Sequence, residues 1–448
     1  MTTRTTLTLA LTLAASTAAA QQREPLCVTT EVRRLVGAPF LQVNGSDYLA
    51  ARPLPAVGAD GAAFVVAVRD PDHSLRVGDA RGLRRTVDEM EFHGAYTPPD
   101  RAPGLTVLRL DRELHVVGEA VFLADPVRGE RGRETYPPGI PDAVTVDDGV
   151  LVVEHVAGDL YATVVPAAGE VPAVRRVAEA PLLSQSGHRG FVWLSAAERR
   201  RDNHRGAAVL AGTDDGEVTA LSFDAHGAVE GAPVLWQQHV GGAMQLAMVP
   251  GANDPVAVLE RPVRGTTMTG EQAREQVLVR LTSTLEPQGE PERLGLGPYP
   301  TALVARGRDL VATQWAESRG LAVATLPVEN GTLRTELPRL WTTDPLEGIP
   351  LAHVAIRGAG NVLYDLMLHG DDVAGGLHAY VTWLPPAGAP FPRRDVIPWR
   401  ARMITRPALL PAEDGVVVLM AGYDELGGGL DAAHVRCEMV TLPQRAAP

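Results

Sequence analysis

An all-β chain built as a ring of seven four-stranded units is the fold this sequence predicts. Three observations carry it: a two-strand motif that recurs along the chain, further alternating runs ahead of its copies, and one cysteine at each end of 448 residues with none between. The motif is a short apolar-alternating run, a turn, and a second run ending in Leu, Val or Ile. Copies occupy 105–123, 160–177, 218–236, 277–294, 321–341 and 377–397, with a half copy at 435–443; their starts lie 44 to 59 residues apart. Repeats are sought first because missing them misassigns the whole fold.

Two more strand-like runs precede the copies. "DAVTV" and "GVLVVEHV" flank a DDG turn before residue 160, "TALVA" and "DLVATQW" stand before 321, and "AHVAI" and "NVLYDLML" before 377. Period-2 alternation broken by Gly and Asp is the antiparallel signal. Four strands in roughly 55 residues make one blade of a β-propeller. The fold predicted is therefore a seven-bladed β-propeller, six being the nearest alternative if the first unit is not a true blade.

The termini follow from the ring. The last unit holds three strands and ends in "VRCEMVTLP", so its outer strand is missing; the N-terminal run 27–35, "CVTTEVRRL", can supply it. That pairing puts Cys27 beside Cys437, within disulfide reach. The residues before Cys27, "EPL", lack the small residue expected next to a lipidated cysteine. At the level of architecture the chain resembles the secreted β-propellers over nearly its whole length. It carries no GH…WD signature, no SxDxGxTW box and no integrin-type calcium loop.

Residues 1–20 read as a signal peptide: one positive charge at Arg4, an apolar run from Leu7 to Ala15, and small residues at Ala18 and Ala20. The expectation is an exported chain, periplasmic or secreted, forming one domain over 21–448. An oxidising compartment permits the disulfide. No later segment approaches the roughly 20 apolar residues of a membrane helix.

The formal charge is −13, and all 41 basic residues are arginine. Absence of lysine removes Schiff-base and P-loop chemistry, and an acidic chain with scattered arginines repels nucleic acid. The sequence lacks GxSxG, HExxH, CxxC and GxGxxG. "LSQSGHRG" (183–190) reads as a polar loop between blades.

Candidate residues are placed by propeller geometry. The loops leaving second strands gather on one face, and they carry Asp70, Asp72, Asp214, Asp215, Glu317, Asp371, Asp372, Asp424 and Glu425, with His73, His155 and His369 among them. First-strand starts add Tyr136, His188, Arg189, Gln245, Tyr299, His353 and Arg402 at the channel mouth. Aspartate before glycine is ordinary turn chemistry. Carboxylates converging on one face would instead suit calcium or a cationic ligand. Insertions at 70–104 and 261–275 leave from the same face, the first long enough to act as a lid.

These readings make the chain a monomeric binding or scaffold module for a protein, small-molecule or carbohydrate ligand, with no obligatory cofactor and calcium as the cation that fits. The alternative is a metal-assisted hydrolase or lyase acting on a sugar or ester.

Overall fold

The computed structural model describes residues 23–30, 32–37, 48–55, 61–69, 104–124, 141–156, 159–179, 191, 193–213, 216–237, 245–249, 254–266, 272–294, 301–316, 320–329, 332–333, 339–341, 349–357, 363–370, 377–384, 394–397, 403–404, 407–424 and 427–441. Two strands, β1 (Arg23–Thr29) and β2 (Arg33–Gly37), precede the first sheet. Sheet one holds β3 (Tyr48–Pro53), β4 (Phe64–Arg69), β5 (Gly104–Leu110) and β6 (Val121–Ala124). Sheet two holds β7 (Asp142–Val146), β8 (Gly149–Val156), β9 (Asp159–Val165) and β10 (Arg175–Ala178). Sheet three holds β11 (Trp193–Arg201), β12 (His204–Gly212), β13 (Glu217–Phe223) and β14 (Val229–Gln237).

Sheet four holds β15 (Gln245–Met248), β16 (Pro255–Thr266), β17 (Gln272–Leu281) and β18 (Pro287–Arg293). Sheet five runs β19 (Thr301–Arg306), β20 (Asp309–Ala316) and β21 (Gly320–Glu329), with the short β22 (Thr332–Leu333) and β23 (Arg339–Trp341) both on β21. Sheet six holds β24 (Ile349–Arg357), β25 (Leu363–Gly370), β26 (Leu377–Leu384) and β27 (Arg394–Ile397). Sheet seven holds β28 (Met403–Ile404), β29 (Ala408–Ala412), β30 (Gly415–Asp424) and β31 (Gly427–Thr441), and β1 and β2 both pair with β31.

The arrangement is a β-propeller. First strands neighbour one another in the order β3, β7, β11, β15, β19, β24, β29, and β29 returns to β3. Apolar layers fill the seams. Val66 and Leu108 of sheet one meet Leu410, Leu419 and Leu430 of sheet seven, and Leu366 and Val381 of sheet six meet Leu409 and Val418 on the other face of sheet seven. Between sheets two and three lie Val144, Leu151, Val209 and Phe223. Second strands are sandwiched on both faces, so β8 is buried along its whole length, whereas the outer strand β14 is largely exposed. That contrast is why middle strands read as unbroken apolar runs and outer ones do not.

One expectation is corrected. Segment 261–275, read as a loop insertion, largely continues the sheet. β16 runs on to Thr266 and β17 starts at Gln272, pairing Arg261 with Glu275 and Thr266 with Gln272. Cross-strand charges hold the arm: Arg261 Nε donates to Glu275 Oε1 at 3.0 Å, and Arg293 Nε lies 2.9 Å from Glu275 Oε2. The insertion 70–104 lies outside the described residues except Gly104, the first residue of β5.

The register of β1 on β31 sets Cys27 directly opposite Cys437. Directly opposed residues in an antiparallel pair have Cα atoms about 4.5–5.5 Å apart, inside the range a disulfide spans. We therefore predict that trypsin digestion without reductant yields peptides 24–33 and 437–445 as one linked species. In a chain-entropy treatment, closing so long a loop is worth on the order of 5 kcal/mol, so Cys27→Ser should lower the melting temperature by several degrees. Two alkylatable thiols in unreduced protein would refute the bridge.

Candidate functional site

Most of the sequence-derived candidates, namely Asp70, Asp72, His73, Tyr136, His188, Arg189, Asp214, Asp215, Tyr299, Glu317, Asp371, Asp372, Arg402 and Glu425, lie outside the described residues. Asp424 ends β30 opposite Gly427, His353 sits in β24 opposite Met367, and His369 sits in β25 opposite His378. His155, near the end of β8, is buried at 2% exposure.

Gln245 was expected over the channel mouth and is instead spent between sheets. Its Oε1 accepts from Leu303 N at 2.6 Å, and its Nε2 donates to Leu303 O at 3.2 Å. It belongs to a series of ties between neighbouring first strands. Asp142 Oδ2 of sheet two accepts from Ala196 N of sheet three at 2.8 Å, and Ser195 Oγ of sheet three accepts from Leu246 N of sheet four at 3.0 Å. On the sheet-one side, Arg52 Nη2 donates to Asp142 Oδ1 at 3.3 Å and Thr145 Oγ1 donates to Pro53 O at 2.6 Å. Each first strand has a second strand on one side only. The polar side chains take up amides along the open edge, which would otherwise be orphaned.

The ends of the sheets from which the second-to-third-strand loops leave bury polar groups. Glu154 is 1% exposed and Thr213, Gln276 and Gln314 are also buried. Thr301 Oγ1 donates to Gln276 Oε1, and Gln314 Nε2 reaches Thr301 Oγ1 at 3.3 Å, joining sheet five to sheet four. A buried polar cluster is stable only when its groups are bonded to one another.

At the opposite end, the turn Asp147–Asp148 of sheet two docks onto two turns of sheet three. His204 Nδ1 lies 2.8 Å from Asp147 Oδ2, and His226 Nδ1 lies 2.7 Å from Asp148 Oδ2. The backbone joins in, Asp147 N donating to Arg205 O and Asp148 N to Ala225 O. Asp224 folds its own turn by accepting from His226 N at 2.9 Å and Ala228 N at 2.7 Å. Gly227, at φ +70°, completes that turn, and a Cβ there would meet Val164 Cγ2 at 2.3 Å. Only glycine lets the two sheets approach so closely.

These contacts move the titrations. The hydrogen bond and charge of Asp148 push the His226 pKa up from 6.5. The His204 hydrogen bond, helped by the Arg205 amide, holds the Asp147 carboxyl below 3.8. Next to the turns lies a hollow of about 320 Å³ whose wall includes Arg199, Arg201, His204, Asp224, His226 and Glu230. Among the described residues, no three His, Cys, Asp or Glu stand close enough together to hold a metal ion.

No protein-family model matches the sequence, and no curated protein does. Solved structures of propeller proteins are similar in shape. A mutant of AofleA from Arthrobotrys oligospora aligns with TM-score 0.43 and 9% identity, covering 84% of this chain and 91% of that one. Aleuria aurantia lectin, described as a six-bladed β-propeller with a novel fucose recognition mode, aligns at 0.39 and 9%, covering 79% and 96%. A mutant of NanB sialidase from Streptococcus pneumoniae aligns at 0.41 and 10%, covering 91% and 70%. Likeness at this level assigns no activity to this chain.

The docked turns give a pH signature. A histidine whose folded pKa is raised contributes stability that is complete below 6.5 and is lost as pH rises through the raised value. Asp147 contributes above 3.8 and loses its contribution as pH falls through its lowered value. The melting-temperature deficit of His226→Asn should therefore be larger at pH 5 than at pH 8, shrinking as pH rises through the raised value. It should be small, because the ring is 72% exposed. His434, pushed down by burial, works in the opposite sense in the wild type, so the difference between the two proteins is the quantity to measure. A deficit that is flat from pH 5 to 8 would refute the coupling.

Proposed function

We propose that this chain is an exported, non-enzymatic binding module, a seven-bladed propeller clamped shut at its termini, with its working surface on the face that carries the second-to-third-strand loops. The observation that carries the reading is the buried polar rim at that end. Glu154, His155, Thr213, Gln276 and Gln314 are enclosed there. Burying such groups costs stability unless they are bonded, and a set of enclosed polar groups beneath these loops supports a recognition surface built there. The ligand class in this reading is a carbohydrate or a protein segment.

The loop carboxylates Asp371, Asp372, Asp424 and Glu425 come from sheets six and seven. Sheet seven neighbours sheet one, whose β4–β5 connection is the long 70–104 segment. We expect a hard cation such as calcium to bind at these carboxylates. A cation bound only to the folded state stabilises it by mass action, about 2.7 kcal/mol when free calcium is 100-fold above the dissociation constant. Wild-type protein should therefore melt higher in calcium and capture glycans on an array only when calcium is present. Asp371→Asn with Asp424→Asn should leave the calcium-free melting temperature nearly unchanged and abolish both calcium effects. If calcium, magnesium, zinc and manganese all leave the wild-type melting point in place, the carboxylates are turn caps and the cation is withdrawn. If no glycan or protein ligand is captured with or without calcium, the binding face itself is refuted.

A further inference from the structure

The hollow at the opposite end of the ring holds a charge that the fold leaves incompletely answered. On the face of sheet three toward sheet four, the apolar seam of Trp193, Ala208, Leu210 and Ala220 ends at Arg199. Strand register sets Arg199 opposite Gly206, and Ser222 opposite both Ala208 and Glu230, all on one face of the sheet. Position 206 has no side chain and is closely approached by β13. A Cβ there would stand 2.3 Å from the Phe223 carbonyl oxygen. The guanidinium ends between two sheets: Nη1 donates to Ser222 Oγ at 2.9 Å and Nη2 to Ser283 O at 2.8 Å in the β17–β18 turn.

Both of those acceptors are neutral. The carboxylate of Glu230 stands 3.9 Å from Nη1, outside hydrogen-bond distance. The Arg199 side chain is 9% exposed, and among the described residues its Nε has no partner. A buried cation without a bonded counter-charge is costly. Arg201, 68% exposed, rises from the same face two residues on and shares the hollow. Its volume of about 320 Å³ falls at the lower end of small-molecule sites.

The walls choose the ligand. Glu230 and Asp224, which keeps Oδ2 outside its own turn, line the same hollow as the two arginines. A bare anion would meet these carboxylates as repulsion, and a neutral polyol would leave Arg199 unanswered. We propose that the hollow binds a small carboxylic acid that also carries hydroxyl or ammonium donors, with the acid group on Arg199 and Arg201 and the donors on Asp224 and Glu230. Planar guanidinium and carboxylate match as paired hydrogen bonds, which a lysine could not reproduce.

Calorimetric titration of the full chain with gluconate and, separately, glutamate tests this, with inorganic phosphate and sorbitol as the bare anion and the neutral polyol. One acid should bind at least tenfold more tightly than phosphate and sorbitol, and which acid does so identifies the donor as hydroxyl or ammonium. Arg199→Lys should weaken that binding at least tenfold. Arg201→Ala, at an exposed position and so compatible with folding, should weaken it several-fold with the melting temperature unchanged. The proposal is overturned if neither acid gives heat at millimolar concentration. It is equally overturned if phosphate or sorbitol binds as well as the better acid, or if both arginine variants bind like the wild type; Arg199 is then a tie between sheets three and four and nothing more.

Discussion

The seam between the last sheet and the first is the contact on which the rest of the ring depends. A row of units needs one fewer interface than it has units; a ring needs as many, and the extra one must be made by the two ends of the chain. Here that seam combines an apolar layer, Val66 and Leu108 against Leu410, Leu419 and Leu430, with strand pairing by β1 and β2 on the outer edge of β31. The pairing spans more than 400 residues of sequence, so its entropy cost is met late in folding, after the intervening sheets have brought the ends together. A ring left open would expose the face of β29 and the edge of β31 at once, two surfaces prone to association.

Closure alone does not fix how the sheets sit about the axis. Apolar layers are tolerant of sliding, since aliphatic side chains repack with modest loss. The bonds from Asp142 to Ala196, Ser195 to Leu246, and Gln245 to Leu303 are not tolerant, because each joins one side-chain atom to one backbone amide. An amide deprived of such a partner at a buried edge costs about 1–3 kcal/mol. The ring therefore has a soft adhesive and a hard register, and the hard part is concentrated near the channel, where the loops of the proposed binding face originate.

The strand pattern was legible in the sequence because it is local, whereas the single closing strand read over 27–35 is two strands, β1 (Arg23–Thr29) and β2 (Arg33–Gly37), both on β31. Alternation with Gly and Asp turns marks strands whatever the tertiary contacts, and a last unit short of one strand points to the first residues of the chain. The hairpin arm through 261–275 was missed because Arg, Pro and Thr hide its alternation, and its stability comes from Arg261 and Arg293 meeting Glu275 across strands. Gln245 was misread for a related reason: a polar residue at a strand start looks like a channel group until the neighbouring sheet is in place. Of the candidate site, the loop residues were chosen by position along the unit, and that rule does not reach the cluster of Asp147, Asp148, His204 and His226. Its members look like four ordinary turn residues, and only the docking of one sheet's turn onto the next makes them partners.

The two ends of the propeller thus reach polarity by different routes. At the loop end, length in the chain is free to vary, so functional groups can be supplied by insertion. At the other end, sheets two and three have turns as short as antiparallel pairing allows, Asp147–Asp148 and Asp202–Asn203 each linking strands directly, which leaves no room for insertion there. Charge there has to be arranged between sheets. Arg199 satisfies that constraint by reaching the sheet-four turn at Ser283. Such a group is held in one geometry by two sheets at once, which is the preorganisation that tight recognition of a small ligand requires.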